Sequence, residues 1–564
     1  MQASFFVRKL FYGDNLDIMR NHINAESVDL IYLDPPFNSK ADYNVLFKEK
    51  SGKQSASQIK AFSDFWHWDE RAALTYNEIV TGGGDENRIS GRVSEAIRSI
   101  VDLLGQNDLS AYLVMMSIRL VEMKRILKNT GSIYLHCDPT ASHYLKIIMD
   151  QIFGPENFRN EITWKRTSAH NDPNKYGNIS DIILFYTRSE NYIWNVLYTQ
   201  YSKDYIDNFF RDEDERGKFT LENLTGPGTS KGESGSTWKG YNPTDIGRTW
   251  SVPRKVKAEL GIPEETGILK TLDKMEAAGR IVWSKNGVPR WKRYLSDIPG
   301  IPLQNIWTDI PPVSSQSNER LGYPTQKPLA LLERIVKVSS NEGDIVLDPF
   351  CGCGTAIHAA QKLNRQWIGI DVTHLAINLV RNRLQEAFNI SVEVEGEPKD
   401  LEGARNLSQG DRFQFQWWAL SLIDARPLND EKKKGADRGI DGVIYNSKSK
   451  TEHFYGLVQV KSGHVKSGDI RDFRGTLERE KADYGIFISL EPPTQNMKDE
   501  AFEAGYTDII NVFSEHIPKI QIITIKELLD GKKPIIPSKS VSFEAAERET
   551  KKREETKDKQ RSLH

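Results

Sequence analysis

Apolar and polar positions divide the chain into stretches of different rhythm. Residues 5–12 (FFVRKLFY) read as a strand, Leu16–Ile23 as a helix and Val28–Leu33 as a buried strand. Such a strand–helix–strand unit predicts neighbouring parallel strands. Residues 40–106 are polar and irregular, with an aromatic cluster (Phe62, Phe65, Trp66, Trp68) and a break at Gly82-Gly83-Gly84. They read as a mobile loop or a small helical insert. Leu109–Leu127 predicts a long amphipathic helix that stops at Lys128-Asn129-Thr130-Gly131. A strand at Ser132–Asp138, a helix at His143–Phe153 and strands at Glu161–Trp164 and Ile182–Tyr186 follow.

From 196 to 320 the apolar rhythm weakens while glycine, tryptophan and charge rise. Regular spacing returns with a Leu329–Ser339 helix. A second unit then runs from Asp344 through a glycine-rich turn, a helix at Ala356–Leu363 and a strand at Trp367–Ile370. Residues 391–410 are acidic and polar, and 396–410 read as a linker. A compact α/β domain is expected over 411–530. Its helices are at Phe413–Asp424, Asp469–Arg479 and Met497–Ala504, and its strands at Tyr484–Leu490, Asp508–Val512 and Ile520–Ile525. Residues 531–564 form a charged tail, read from 541 on as a solvated helix or disorder.

Composition narrows the class. The 564 residues suffice for two to four domains, and 38% hydrophobic with 27% charged residues is ordinary for a soluble protein. No apolar run reaches the ~18 residues of a membrane span. The first residues lack a signal-peptide pattern. Cys137, Cys351 and Cys353 make no disulfide framework, and Cys351-Gly-Cys353 has no second pair for zinc, so a reduced, cytoplasmic setting is expected. The net charge of −2 confines any nucleic-acid binding to local patches. Lys231–Arg293 is such a patch, with 13 Lys/Arg against 7 Asp/Glu and Trp238, Trp250, Trp283 and Trp291 interleaved. It suits DNA backbone contact and base readout. It equally suits a solvated domain whose tryptophans form its own core.

Two stretches carry chemistry. The Val28–Leu33 strand ends in Asp34-Pro35-Pro36-Phe37. Paired prolines forbid a helix and leave stiff, free carbonyls where ligands bind in open α/β sheets. The carboxylate and a proline carbonyl can accept both N–H bonds of an amino group on a flat ring, with the aromatic stacked on the ring. A plain turn with Asp34 as a cap is the alternative. In the second unit, Gly352 and Gly354 let the backbone approach a ligand, and Asp371 is placed like the acid that binds ribose hydroxyls. The turn is neither G-x-G-x-x-G nor a Walker loop, which favours a nucleoside cofactor without phosphate over one with it. An ordinary strand–turn–helix is the alternative there.

Together these residues resemble the amino-group DNA methyltransferases that use S-adenosylmethionine. Asp34–Phe37 looks like their catalytic loop and Asp348-Pro-Phe350-Cys-Gly352-Cys-Gly354-Thr355 like their cofactor loop. Asp371 matches their ribose-binding strand end, and Gly13-Asp14 the strand end at the adenine ring of the cofactor. Tyr323-Pro-Thr-Gln-Lys327-Pro matches the segment that closes over the cofactor. The catalytic loop precedes the cofactor loop, which is the β-class permutation. The resemblance implies a permuted Rossmann-like methyltransferase sheet over 1–395, with 196–320 inserted for target recognition. It also implies double-stranded DNA as substrate and a flipped target base. Asp-Pro-Pro goes mostly with adenine in this family and Ser-Pro-Pro with the cytosine amino group, so adenine is expected. Phe37 departs from the commoner tyrosine or tryptophan.

The last third resembles the Mrr-like branch of the restriction-endonuclease fold. There Asp441-Gly442 and Gln459-x-Lys461 imply a nuclease site with Mg²⁺ at Asp441. The branch's helix glutamate is replaced by the Phe413-Gln414 and Phe415-Gln416 region, where Asp424 or Asp437 can substitute. A nuclease fold that only grips DNA is the alternative. No nucleotide-hydrolysing motif occurs, so a separate restriction or helicase subunit is an expected partner, a homodimer stays open, and no membrane partner is expected.

Overall fold

A computed structural model describes residues 7–36, 42–48, 54–63, 67–82, 89–167, 174, 176–314, 317, 319–321, 323, 325–423, 425–427, 440–447, 453–510 and 516–537. Its centre is a nine-stranded sheet. In chain order the strands are β1 (Arg8–Tyr12), β2 (Val28–Leu33), β3 (Leu127–Cys137), β4 (Phe158–Lys165), β5 (Ser180–Thr187), β6 (Ile306–Trp307), β7 (Ile345–Asp348), β8 (Gln366–Asp371) and β9 (Val394–Glu395). In space they run β6-β4-β5-β3-β2-β7-β8-β1-β9. All are parallel except β5, which is antiparallel to both β3 and β4. The predicted α/β architecture is present, but the first unit does not place neighbours side by side. β7 and β8 lie between β1 and β2, because the second strand–turn–helix–strand unit fills the gap its crossover leaves.

Helices cover both faces. Asn15–His22, Gly91–Leu104, Asp108–Ile126 and Ser142–Phe153 pack on one side, and Leu329–Ser339, Thr355–Lys362 and His374–Phe388 on the other. Every residue of β2 is therefore buried, as a central parallel strand requires. Asp29 interrupts its apolar run at 3% exposure. Its carboxylate accepts from Lys128 Nζ at 2.8 Å and from Ile345 N at 2.9 Å, which satisfies the charge and ties β2 to its neighbours.

The Asp108–Ile126 helix reads as amphipathic yet is buried on nearly all sides. Glu70–Val80 and Gly91–Leu104 cover the face that sequence assigns to water. Its charges survive by pairing: Glu122, 1% exposed, meets Arg20 and Arg125. The 40–106 region contains these two helices and an antiparallel pair, Asp42–Lys48 with Gln54–Ser63, that the sequence does not announce.

Val196–Gln304 forms a compact unit of its own, shorter than the expected 196–320 insert. A four-stranded antiparallel sheet (Ile281–Trp283, Pro289–Tyr294, Gly217–Asn223, Asp212–Asp214) is its frame. Trp238, Trp250 and Trp291 are buried with Leu272 and Met275, so these tryptophans are core. Several cations are spent internally: Arg280 pairs with Glu259 and Asp297, Lys292 with Asp214, Arg293 with Glu222.

The C-terminal region has a separate five-stranded sheet in the order Arg426–Pro427, Gly442–Ser447, His453–Lys461, Tyr484–Ser489, Ile520–Thr524. The last three strands are parallel. Residues 401–410 of the expected linker are a helix, Leu401–Gly410, capped by Asp400, whose Ala404 is fully buried in this domain's core. Acidic composition hid it, because only Leu401, Ala404 and Leu407 face inward. Val394–Glu395 joins the main sheet at its edge. Of the tail, Ile535 and Ile536 pack on the same core; residues 538–564 lie outside the described residues.

Candidate functional site

The carboxyl ends of β1, β2, β7 and β8 surround one cavity of about 330 Å³. Asp14, Asp34, Pro35, Pro36, Lys327, Asp348, Phe350, Gly352, Thr355 and Asp371 all line it. Parallel strands end on the same edge, so two loops about three hundred residues apart in sequence converge. Gly354 stands just behind the lining as the N-cap of the Thr355–Lys362 helix. Phe37 lies outside the described residues.

Asp371 closes β8. Its Oδ2 accepts from Gly352 N at 2.9 Å, and Oδ1 from Thr373 N and Oγ1, each at 2.9 Å. Burial still raises its carboxyl above the ordinary range. Asp348, bonded by Phe350 N at 3.1 Å, is pushed well up by burial and by its neighbours Asp34 and Asp371. Gly352 has φ +46°, and a Cβ there would lie 3.0 Å from the Tyr323 ring, so this ring closes down on bare backbone. Cys351 and Cys353 are buried small residues of the turn.

Asp14 caps the Asn15–His22 helix through Leu16 N at 2.9 Å. It also meets Arg119 at 2.9 Å and Arg71 at 2.6 Å. Burial works to raise its carboxyl, but Arg119, the Leu16 amide and Arg71 outweigh burial and hold it below the usual value. Asn15 donates to Pro349 O at 2.8 Å and accepts from Arg119 Nε at 2.7 Å, joining the first strand's loop to the glycine-rich one. Arg119 carries no sequence signal, since it sits mid-helix among apolar neighbours. Only its 4% exposure and its partners mark it.

Asp34 Oδ2 lies 2.5 Å from Lys327 Nζ. Beneath it, Tyr32 Oη is 3.0 Å from His136 Nδ1, and His136 Nε2 is 3.0 Å from Asp181 Oδ2. All three side chains are buried, and burial followed by the charge of Lys327 drives His136 below its usual value. The neutral ring then donates to Asp181 and accepts from Tyr32. Sequence reading missed this row, because tyrosine, histidine and aspartate fall on three different strands.

Residues 28–382 match the N6/N4 family model described as DNA methylase. The chain belongs to this DNA methylase family. Among relatives, it is 38% identical over 275 residues to Type II methyltransferase M.EcaI of Enterobacter cloacae, covering 49% of this chain and 57% of that one. It is 28% identical over 372 residues to the Type III restriction-modification enzyme StyLTI Mod subunit of Salmonella typhimurium, covering 63% and 50%. The match therefore spans about half the length of each of these two relatives. DNA adenine methyltransferase YhdJ of Escherichia coli is 41% identical over 116 residues, covering 21% of this chain and 37% of that one. A DNA modification methylase from Thermus thermophilus, solved with S-adenosyl-L-methionine, aligns at 14% identity with a TM-score of 0.32, over 70% of this chain and 100% of that one.

Residues 419–530 match a different family, NACHT-associated inactive Restriction Endonuclease 1. The structure places Asp441 just before the Gly442–Ser447 strand, next to the neighbouring His453–Lys461 strand that carries Gln459 and Lys461. However, Asp441 Oδ1 accepts from Gln416 Nε2 at 2.8 Å and Oδ2 from Val460 N at 2.6 Å. Among the described residues Gln459, 6% exposed, has no hydrogen-bond partner for Oε1. Among the described residues no group of three His, Cys, Asp or Glu can hold a metal. One carboxylate with both oxygens engaged does not fit Mg²⁺, whose sites keep carboxylate oxygens for the ion. The expected metal at Asp441 is thus not supported. Asp424 and Asp437 lie outside the described residues.

Proposed function

We propose that this protein moves the methyl group of S-adenosylmethionine to the exocyclic amino group of adenine in double-stranded DNA. The carrying observation is that the Asp34-Pro35 strand end opens onto the same cavity as Asp348, Gly352 and Asp371. The donor set suits a nucleoside: Asp371 for ribose hydroxyls, bare backbone at Gly352 for close approach, and no phosphate-binding lysine loop. S-adenosylmethionine supplies an electrophilic methyl group on a sulfonium. Asp34 and the Pro35 carbonyl accept the two amino hydrogens, which turns the nitrogen lone pair out of conjugation and toward that methyl. Phe37 is proposed to stack on the base. The base is flipped out of the duplex at a cost of a few kcal/mol, and alignment of the reacting atoms supplies much of the rate.

Asp rather than Ser at position 34 supports adenine, as does the name of the YhdJ relative. Val196–Gln304 is proposed to read the DNA, with exposed Lys231, Lys270, Lys285 and Arg290 at hand for phosphates. The Mod-subunit relative supports a separate restriction subunit as partner. The C-terminal domain is proposed as a non-cleaving module, on the engaged Asp441 and on the inactive family it matches. The test is nucleoside mass spectrometry on DNA from methylation-deficient cells expressing the chain. N6-methyladenine is expected. N4-methylcytosine would correct the base, and neither would refute the function.

A further inference from the structure

We infer that Lys327 positions the Asp34 carboxylate, rather than serving chiefly as a ligand of the methyl donor. This rests on the reading of Asp34 given above. The two side chains are 9% and 17% exposed, and Nζ is 2.5 Å from Oδ2. The described residues give Oδ1 no hydrogen-bond partner. One oxygen is held by a cation, and the other is left to meet an amino N–H. An aspartate at a loop edge otherwise samples several rotamers; a fixed ammonium selects one.

The segment that delivers Lys327 is braced for the purpose. Gln326 Nε2 donates to Glu319 O at 2.6 Å, Gln326 Oε1 accepts from Leu321 N at 2.8 Å, and Glu319 Oε2 accepts from Leu329 N at 3.4 Å. Thr325 has φ +60°, a left-handed conformation that β-branched residues rarely adopt. Such strain persists where the surroundings over-determine it, and it concentrates at working sites. Here it turns the chain so that the lysine two residues on enters the cavity. His136 lies on the neighbouring strand beside the pair. Both its ring nitrogens are engaged, by Tyr32 and Asp181, so it does not compete for Asp34.

In the transfer, the amino nitrogen's lone pair forms the new N–C bond as the S–C bond breaks and its electron pair goes to sulfur. The nitrogen then gives one N–H proton to Asp34 Oδ1, and from there it passes to water. Lys327 keeps Oδ2 in place throughout.

The test uses the full chain with Lys327→Met and Lys327→Arg. Calorimetry measures S-adenosylmethionine binding; single-turnover transfer of tritiated methyl to DNA measures the chemical step. For Lys327→Met, a donor affinity and a DNA KM within about threefold of wild type are expected, with transfer slowed about 100-fold, the scale of a small misplacement of reacting groups. Lys327→Arg, which can still hold a carboxylate, is expected to recover at least about tenfold of that loss. Should the methionine variant fail to fold, the arginine and a Lys327→Gln variant carry the same comparison. Donor affinity that falls in step with rate would make Lys327 a donor ligand and overturn the inference. An unchanged rate in Lys327→Met beside an active wild type would also overturn it, while leaving the methyltransferase reading intact. A wild type that methylates no DNA would overturn both.

Discussion

Gly354→Ala puts the glycine-rich turn under a direct test. Gly354 sits at φ +73°, ψ +33°, as the N-cap of the Thr355–Lys362 helix. A Cβ added there would lie 2.8 Å from Val380 Cγ2 and 3.2 Å from Cγ1. Val380 is fully buried on the His374–Phe388 helix, and a valine in a helix has essentially one rotamer, so it cannot swing aside. Two costs add. The left-handed conformation costs an alanine about 1–2 kcal/mol, and the overpacking about 1–3 kcal/mol. The sum, about 2–5 kcal/mol, is a large part of a typical domain stability of about 5–15 kcal/mol. The backbone has to shift to relieve the clash, and it carries Cys353 and Thr355, which line the cavity. If about 1.4 kcal/mol of that shift reaches the cofactor, its affinity falls about tenfold. Urea unfolding and calorimetry with S-adenosylmethionine read the two effects. Val380→Ala in the same background removes the clash but not the backbone strain, so a double-mutant cycle is expected to show about 1–3 kcal/mol of coupling. A Gly354→Ala protein that unfolds at the wild-type urea concentration, with no coupling to position 380, would show that neither the backbone strain nor the clash with Val380 is present.

Arg119→Met is expected to destabilise the protein by about 3 kcal/mol, because it removes the buried partner of Asp14; denaturant midpoints check it. The same pair sets an acid limb. The Asp14 carboxyl is held below its unfolded value, so its stabilisation is complete above about pH 4 and is lost as pH falls through the lowered native value. Wild type is therefore expected to lose stability more steeply than Arg119→Met on acidification below about pH 4, as pH-jump unfolding would show. In the C-terminal domain, neither wild type nor Lys461→Ala is expected to cut DNA with Mg²⁺, and both are expected to methylate equally. Wild-type cleavage that Lys461→Ala abolishes would restore the nuclease reading.

The cavity was legible because its residues come in short contiguous runs. Asp34-Pro35-Pro36 and Asp348–Thr355 each occupy one strand end and one turn, so local sequence states them completely. The partners of those residues were not legible. Arg119 lies in a helix 105 positions from Asp14, and His136 and Asp181 reach Tyr32 only through sheet order. Sheet order itself failed at β1 and β2, whose separation depends on a unit more than 300 residues downstream. The tryptophans of 231–293 pointed equally to a DNA surface and to a core, and burial assigns Trp238, Trp250 and Trp291 to the core. The Leu401–Gly410 helix escaped because three inward positions in an acidic stretch leave almost no periodicity to read. In the C-terminal domain, motif order pointed to Asp441 and Lys461 but could not reveal that Gln416 and the Val460 amide already engage the carboxylate.

The central claim is that Asp34 presents an amino group to a methyl donor held beside it. The most direct measurement compares wild type with Asp34→Ala for tritiated methyl transfer to duplex DNA, with S-adenosylmethionine affinity measured on the same preparations. Transfer by wild type is expected, with loss of at least about 1,000-fold in Asp34→Ala and donor binding retained in both. Near-normal turnover by Asp34→Ala would contradict it.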